Sequence, residues 1–262
     1  MQVQSKRFWA KLAEIPLWLE ASGSYLPWLF QDYQITPTEA ERQQYHALMA
    51  EAGKNPESPL RVTETDLAQE RSLQPPEASG LSDSILEGLA MYRKIMDVMA
   101  CRNVLMFHSS ALAMDGRAYL FTAPSGTGKS THTRLWRQVF GDRVTMINDD
   151  KPLLRLQADG TWRVYGTPYA GKENIQTNTS ETVRGIVLLE QGAENRIERV
   201  SAHDAYVRLL VQTYHNDQKP QEMLHIMDLV GLLAKLPVFR LQCTISEEAA
   251  HIAEQALKGE CE

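Results

Sequence analysis

The sequence has few cysteines and no long apolar run. Its three cysteines, Cys101, Cys243 and Cys261, lie far apart and form no C-x-x-C pair. A small, odd number of cysteines is typical of reduced thiols in an intracellular protein rather than of a disulfide framework. No stretch approaches the roughly 20 apolar residues of a membrane span, and the N-terminal residues show no signal-peptide pattern. We therefore expect a cytoplasmic protein that does not associate with a membrane.

An excess of positive charge is also absent. Lys and Arg number 27 against 33 Asp and Glu, so the formal net charge is −6. Nucleic acids normally require a basic face on the proteins that bind them, so we do not expect a nucleic-acid partner. Hydrophobic residues make up 43% of the 262 residues, which is enough for a substantial core and fits one large domain or two small ones.

Breaks in the sequence pattern predict two domains. Between residues 50 and 80, glycine and proline cluster among polar residues, and the pair Pro75-Pro76 interrupts both helices and β-ladders. We place the boundary after residue 78. Residues 1–78 are then a small α+β domain of unknown role, and residues 79–262 form the larger domain that carries the chemical motifs.

Local signals in the smaller domain predict a helix and a strand. Thr36 is a candidate N-cap, and Glu39 completes a capping box for a helix over residues 37–50. The β-branched and apolar residues within residues 60–67 predict a strand. These two elements are the basis for the α+β assignment.

The strongest chemical signal is a glycine-rich segment, Ala123-Pro-Ser-Gly-Thr-Gly-Lys-Ser-Thr131, between a predicted strand and a predicted helix. Its glycines allow successive backbone amides to face one concavity, and the N-terminus of the following helix favours phosphate. It departs from the G-x-x-x-x-G-K-[ST] pattern only at the first position, where Ala123 stands. The residues predicted to bind the nucleotide phosphates are Ser125, Gly126, Thr127, Gly128, Lys129, Ser130 and Thr131.

Two carboxylates follow the next predicted strand, in the segment Asn148-Asp149-Asp150. Beside a phosphate loop, one of them can hold Mg²⁺ while the other accepts a proton from an attacking hydroxyl. Lys129 can reach the β- and γ-phosphates, and the Ser130 hydroxyl can ligate Mg²⁺. The sequence therefore predicts ATP and Mg²⁺ as cofactors, although the residues leave other nucleoside triphosphates open.

A histidine, His108, follows the apolar run Val104–Phe107. A histidine at the end of a strand can serve a site or simply complete the packing, and the sequence leaves both roles open. The other histidines show no metal-binding spacing, so we predict no zinc site.

Taken in order, these motifs resemble the catalytic domain of the HPr kinase/phosphorylase family. The resemblance depends on His108-Ser-Ser-Ala-Leu-Ala, then Asp115-Gly116, then the glycine-rich segment, then Asn-Asp-Asp. The nucleotide domain of phosphoenolpyruvate carboxykinase is similar too, and the segment Tyr165-Gly-Thr-Pro-Tyr-Ala-Gly-Lys172 adds to that likeness. The resemblance covers roughly residues 100–200, with weaker similarity toward the C-terminus.

The resemblance implies a fold and a set of roles. The family places its loop on a mixed, largely antiparallel sheet with flanking helices, so we expect an α+β or α/β fold of this kind. The turn signals Asp115-Gly116 and Asp159-Gly160 agree with antiparallel hairpins. By the same resemblance, Lys129 contacts phosphate, Ser130 and Asp149 hold Mg²⁺, Asp150 is the general base, and His108 assists that base or the transferred phosphate.

The chain lacks one feature of the bifunctional family members, the Arg-Gly-Leu-Gly-Ile stretch after the second acidic motif. The resemblance therefore does not carry over phosphorylase activity or HPr as the substrate. Related stand-alone kinases phosphorylate serine in small peptides, which makes a peptide, a protein or a small hydroxyl compound the expected acceptor. Because the bifunctional members assemble as hexamers, a homo-oligomer is left open.

The sequence thus predicts an ATP- and Mg²⁺-dependent kinase that transfers the γ-phosphoryl group to a hydroxyl, with Asp150, His108 and Lys129 as catalytic residues. The alternative is a nucleotide-binding regulatory or peptide-handling module with little or no catalysis. The paired carboxylates favour the enzyme, because a pure binding module has less need of a base.

Overall fold

Helices and mixed β-sheets make up the described part of the chain, which comprises residues 5–76, 80–216 and 220–259 of a computed structural model. Its contacts divide the chain into two units, Met1–Arg102 and Asn103–Glu262. The predicted boundary after residue 78 lies outside the described residues, and the observed division comes later in the chain. No helix in the described ranges is long and apolar enough to cross a membrane.

The first unit contains a three-stranded sheet and four helices within the described residues. Strands β1 and β2 form an antiparallel hairpin, and the short strand β3 pairs in parallel with β2. The strands are β1 (Lys6–Leu12), β2 (Ile15–Ala21) and β3 (Leu60–Arg61). The helices are α1 (Tyr25–Leu29), α2 (Glu39–Glu51), α3 (Glu64–Leu73) and α4 (Asp83–Met99).

The predicted helix start in this unit is two residues too early. Helix α2 has Thr38 as its N-cap, and the capping box is closed by Glu41. The Thr38 side chain accepts a hydrogen bond from the Glu41 amide at 3.3 Å, and the Glu41 carboxylate accepts one from the Thr38 amide at 2.8 Å. Both threonines have a glutamate three positions later, so the sequence motif alone could not choose between them.

The predicted strand over residues 60–67 is also wrong in length. Strand β3 ends at Arg61, and Thr63 caps helix α3 through a second capping box with Asp66. The β-branched residues that suggested a strand include this N-cap threonine. A side chain that bonds to nearby backbone amides favours a helix start over continuation of a strand.

The second unit contains nine strands and four helices within the described residues. Its strands are β4 (Val104–Met106), β5 (Ser110–Met114), β6 (Arg117–Thr122), β7 (Val144–Asn148), β8 (Leu153–Leu156), β9 (Trp162–Tyr165), β10 (Ser180–Gln191), β11 (Arg196–Arg199) and β12 (Val238–Cys243). Its helices are α5 (Lys129–Phe140), α6 (Ala202–Val211), α7 (Pro220–Leu233) and α8 (Glu247–Lys258).

Strand β10 is the centre of this sheet. It runs parallel to β6 and β12, while its first residues pair antiparallel with β9. The other five pairings (β4 with β8, β8 with β9, β5 with β6, β5 with β7, and β11 with β12) are all antiparallel. The prediction of a mixed sheet with flanking helices is confirmed, and hairpins form at Asp115-Gly116 and Asp159-Gly160, where β5 pairs with β6 and β8 with β9.

Side chains along the central strands alternate between the two faces of the sheet, and each face has its own hydrophobic core. Leu120 of β6 and Ile186 of β10 join one buried cluster with residues of α6 and α7. Their neighbours Phe121 and Val187 join another cluster with Trp136 of α5 and with residues of α8. Because successive strand residues point to opposite faces, the sheet is covered by helices on both sides.

Strand direction brings the carboxyl ends of four strands to one edge of the sheet. Strands β6, β10 and β12 are parallel, so their carboxyl ends lie at the same edge. Strand β7 runs in the same direction as β6, because both pair antiparallel with the strand β5 between them. The glycine-rich loop after β6 and the acidic pair after β7 therefore lie at the same edge of the sheet, at the ends of the two strands that flank β5.

A tight backbone approach near this edge gives a test of the fold. A Cβ atom on Gly166 would overlap the Thr177 carbonyl oxygen and lie 2.7 Å from that of Ile147. We expect Gly166→Ala to lower the free energy of unfolding by about 3 kcal/mol, since backbone atoms cannot give way as side chains do. The measurement is the urea midpoint at constant m-value.

The matched control is Gly231→Ala in α7, where a Cβ would meet nothing within 4 Å. This change should be neutral or should stabilise the protein by about 0.5–1 kcal/mol, because alanine favours the helix. Equal unfolding midpoints for the two variants would contradict the described backbone packing.

Candidate active site

The glycine-rich loop connects the end of β6 to the start of α5. Gly126 and Gly128 have φ values of 81° and 118°, which lie in the region that favours glycine. A Cβ on either residue would meet nothing within 4 Å, so the need for glycine is conformational and the space beside the loop is open. Gly128 is also the N-cap of α5, and without a side chain it leaves the first amides of that helix uncapped. Such a helix start can accept an anion.

Lys129 is buried at the first position of α5. Its ammonium group donates a hydrogen bond to the carbonyl of Ala123 at 3.0 Å, so the side chain folds back over the loop. Burial lowers the pKa of Lys129 below its ordinary value, and the nearby charge of Asp150 opposes that shift. The lysine is therefore a positive charge held between the loop and the acidic pair.

Asn148 organises the segment that follows β7. It is fully buried, and its amide group donates to the carbonyl oxygens of Thr167 and Tyr169 at 3.1 and 3.3 Å. Its side-chain oxygen accepts from the backbone amides of Asp150 and Lys151 at 2.9 and 2.7 Å. One side chain thus fixes the turn that carries both aspartates.

Asp149 lies in this turn with only 4% of its surface exposed. Its Oδ1 accepts a hydrogen bond from the Gly171 amide at 2.6 Å, whereas its Oδ2 is buried and has no hydrogen-bond partner among the described residues. A Cβ on Gly171 would lie 3.2 Å from that oxygen, so glycine is what allows the close approach. Burial raises the pKa of Asp149, and the Gly171 and Ile175 amides counteract this only in part.

Asp150 is paired with a histidine and a lysine. Its Oδ1 lies 3.4 Å from Nε2 of His108, and its Oδ2 lies 3.3 Å from Nζ of Lys151. Burial alone would raise the pKa of Asp150, but the hydrogen bonds and charges of His108 and Lys151 outweigh it and lower the pKa. The carboxylate is therefore ionised at neutral pH.

His108 is held by Gln212, the C-cap residue of α6, and by Thr122. The Gln212 carbonyl accepts from the His108 amide at 2.8 Å, and its side-chain Oε1 lies 2.9 Å from His108 Nδ1. Thr122 Oγ1 donates to the His108 carbonyl at 2.8 Å. Each ring nitrogen of His108 thus lies close to a side-chain oxygen, that of Gln212 on one side and that of Asp150 on the other.

The predicted site residues fall into two groups. The first group centres on Asp150, which contacts His108 and interacts electrostatically with Lys129 and with its neighbour Asp149. The remaining predicted residues, Ser125, Gly126, Thr127, Gly128, Ser130 and Thr131, lie along the loop and the first turn of α5. Of these, Thr127 is tied to β10, because Gln191 donates to its carbonyl at 3.2 Å.

Two contacts that complete the site were not predicted from the sequence. The Gly171 amide and the Gln212 side chain come from segments far along the chain from the aspartate and histidine that they contact. Gly171 lies in the segment Tyr165–Lys172 that adds to the likeness to phosphoenolpyruvate carboxykinase, but neither that segment nor the sequence around Gln212 predicts the contact. Only the sheet pairing and the end of α6 bring them to the edge where the loop lies.

Asp149, the first residue of the acidic pair, could supply one of the oxygen ligands of a magnesium ion. The unpartnered Oδ2 of Asp149 is a hard oxygen donor of the type that Mg²⁺ prefers. Within the described ranges, no three His, Cys, Asp or Glu side chains cluster as a metal site of their own. Asp149 and Ser130 could therefore hold Mg²⁺ together with water and phosphate oxygens, which is the usual arrangement for this ion.

No profile of a known protein family matches the chain, and no curated protein shows significant sequence similarity to it. Among solved structures, its fold is similar to the Hpr(Ser) kinase/phosphatase from Coxiella burnetii. That likeness has a TM-score of 0.35 and 12% sequence identity, and it covers 59% of this chain and 89% of the other. It is a distant likeness, and the chemistry of the site is argued from this chain's own residues.

The buried charge of Asp149 makes a prediction about stability. Since its pKa is raised in the folded state, the ionised carboxylate destabilises the fold at neutral pH, and the effect disappears as pH falls through the raised pKa. Asp149→Asn removes the charge but keeps an oxygen for the Gly171 amide. We expect this variant to be more stable than the wild type at neutral pH by about 1 kcal/mol.

Urea denaturation at a series of pH values, without nucleotide or divalent cation, measures this difference. It should shrink as the pH is lowered toward the usual carboxyl range, because the wild-type carboxylate then becomes protonated. The exposed control Asp142→Asn should show little change. A less stable Asp149→Asn protein at neutral pH would contradict the described environment of this carboxylate.

Proposed function

We propose that this protein is an ATP- and Mg²⁺-dependent kinase that transfers the γ-phosphoryl group to a hydroxyl, such as serine in a peptide, a protein or a small molecule. One observation carries the proposal. A buried carboxylate oxygen on Asp149, without a hydrogen-bond partner among the described residues, stands next to Asp150, whose ionised carboxylate contacts His108, at the sheet edge where the glycine-rich loop begins. The motif order that resembles HPr kinase/phosphorylase supports the same conclusion.

The loop would hold the phosphate chain. The uncapped amides at the start of α5 and the curled backbone at Gly126 and Gly128 provide donors for anionic oxygens. Lys129 would exchange its bond to the Ala123 carbonyl for a phosphate oxygen, which gains a charge-assisted hydrogen bond. The negative charge of the phosphate would also offset the desolvation cost of burying the ammonium group.

Asp149 and Ser130 would be the protein ligands of Mg²⁺, which neutralises charge on the phosphates when bound. In this role Asp149 keeps its Oδ1 on the Gly171 amide and offers Oδ2. The close packing of Gly171 against the carboxylate fixes that orientation before any ligand arrives. Preorganisation of this kind lowers the cost of assembling the site.

Asp150 would accept the proton of the attacking hydroxyl. Its Oδ1 is held by His108, while the 3.3 Å contact of its Oδ2 with Lys151 is one that a hydroxyl donor can replace. Gln212 fixes the histidine ring and thereby the direction of the carboxylate. The bond to the γ-phosphorus then forms from the acceptor oxygen as the bond to the β-bridging oxygen breaks, leaving ADP.

The test is Asp150→Asn, which removes the base but keeps its size. Phosphoryl transfer should fall by about 10²–10⁴-fold, while the affinity for ATP changes only a few-fold. Transfer is measured with γ-labelled ATP and Mg²⁺ against peptides, HPr-like proteins and free serine. ATP affinity is measured by calorimetry.

The control is Asp159→Asn, an exposed aspartate in the turn between β8 and β9. It should retain both transfer and binding. Transfer at the wild-type rate by Asp150→Asn would exclude the assigned base. Tight ATP binding by a wild-type protein that labels no acceptor and releases no phosphate would instead favour a nucleotide-binding module.

A further inference from the structure

A side chain from β10 holds the backbone of the glycine-rich loop. Gln191 is the last residue of β10, and its Nε2 donates a hydrogen bond to the Thr127 carbonyl at 3.2 Å. The two residues are 64 positions apart in the chain, so the contact depends on the fold. Because Gln191 is exposed, packing in a core does not account for the direction of its side chain, whereas the bond to the loop does.

The backbone that carries Gln191 is fixed on the side of β12. Gln191 is the partner of Cys243 in the parallel pairing of β10 with β12. The next residue, Gly192, donates from its amide to the Cys243 carbonyl at 3.1 Å, and a Cβ on Gly192 would lie 3.2 Å from the Cβ of Gln242. The glutamine side chain therefore extends to the loop from a well-anchored strand end.

The loop has a backbone that can turn more easily. Gly128 has a φ of 118°, and glycine adopts both signs of φ at similar cost. A peptide unit next to a glycine can therefore rotate, which exchanges the directions of its C=O and N–H groups. The amide of Thr127 already donates to the Pro124 carbonyl at 3.3 Å within the loop. The following peptide unit, which joins Thr127 to Gly128, is the one that Gln191 contacts.

The direction of this peptide unit determines what the loop offers to a ligand. In a planar trans peptide the C=O and N–H groups point in opposite directions, so a carbonyl held toward β10 turns the Gly128 N–H away from β10. In the sheet order, β6 lies between β10 and β7, so the N–H is turned to the side on which β7 carries the acidic pair. The reverse orientation would present a carbonyl oxygen there, and that oxygen would repel phosphate.

We propose that Gln191 is a positioning residue for phosphate binding, which locks the Thr127–Gly128 peptide unit with its N–H group toward the phosphates. The glutamine acts through the loop backbone and does not itself contact the ligand. This inference rests on the proposed function, because it takes the loop as the site of the phosphate chain. The bond from β10 should therefore contribute equally to the binding of any ligand that carries this chain.

The test measures the affinities for ATP and for inorganic tripolyphosphate by calorimetry with Mg²⁺ present, in the wild type and in Gln191→Met. Methionine is about as long as glutamine but has no N–H donor. Both affinities should fall about fivefold and by the same factor, as expected for one neutral hydrogen bond. The urea midpoint without ligand should stay unchanged, since the side chain is exposed.

A second variant, Gln191→Glu, reverses the polarity of the contact. An ionised carboxylate can only accept, so it repels the Thr127 carbonyl and attracts the Gly128 N–H. Both affinities should then fall about 50-fold, because the bond lost is replaced by a charge-assisted one in the wrong orientation. The matched control is Ala193→Glu, which places a carboxylate at an exposed position two residues further along. Its charge alone should weaken binding only about two- to threefold.

Wild-type affinities in Gln191→Met, or equal losses in Gln191→Glu and Ala193→Glu, would overturn the positioning role while leaving the phosphate loop intact. A loss for ATP alone in Gln191→Met would also overturn it, because the side chain would then contact the rest of the nucleotide directly. So would a lower urea midpoint with unchanged affinities, which would mark the bond as structural. Failure of the wild-type protein to bind either ligand would overturn the proposed function together with this inference.

Discussion

The side chain of Asn148 is the constraint on which the rest of the site depends. It is fully buried and bonds both to the carbonyls of Thr167 and Tyr169 and to the amides of Asp150 and Lys151. Buried polar groups are stabilising only when their partners are in place, so this network permits one arrangement of the two segments that it joins. That arrangement brings the Gly171 amide onto Asp149 and leaves Asp150 facing His108.

The resulting site contains buried charged groups whose desolvation destabilises the free protein. Burial lowers the pKa of Lys129 and raises the pKa of Asp149, which means that both charged forms are held against their desolvation. A phosphate chain and a divalent cation would each relieve one of these costs. Sites built for function commonly reduce the stability of the free protein in this way.

Sequence patterns could predict the parts of the molecule that are set by neighbouring residues. The glycine-rich segment lies between a strand and a helix as expected, and the two Asp-Gly turns form hairpins. Local patterns misled where two signals competed, as at Thr36 and Thr38, or where a capping threonine looked like part of a strand. The contacts of Gly171 and Gln212 could not be predicted, because they depend on sheet topology rather than on local sequence.

Asp149 and the glycine-rich loop are proposed to form one site for a nucleotide and Mg²⁺. Calorimetric titration of ATP at increasing Mg²⁺ concentration, for the wild type and for Asp149→Asn, tests this most directly. The claim predicts that Mg²⁺ strengthens ATP binding to the wild-type protein and that the variant loses most of this dependence. Equal Mg²⁺ dependence in both proteins, or no ATP binding to the wild type at any Mg²⁺ concentration, would contradict it.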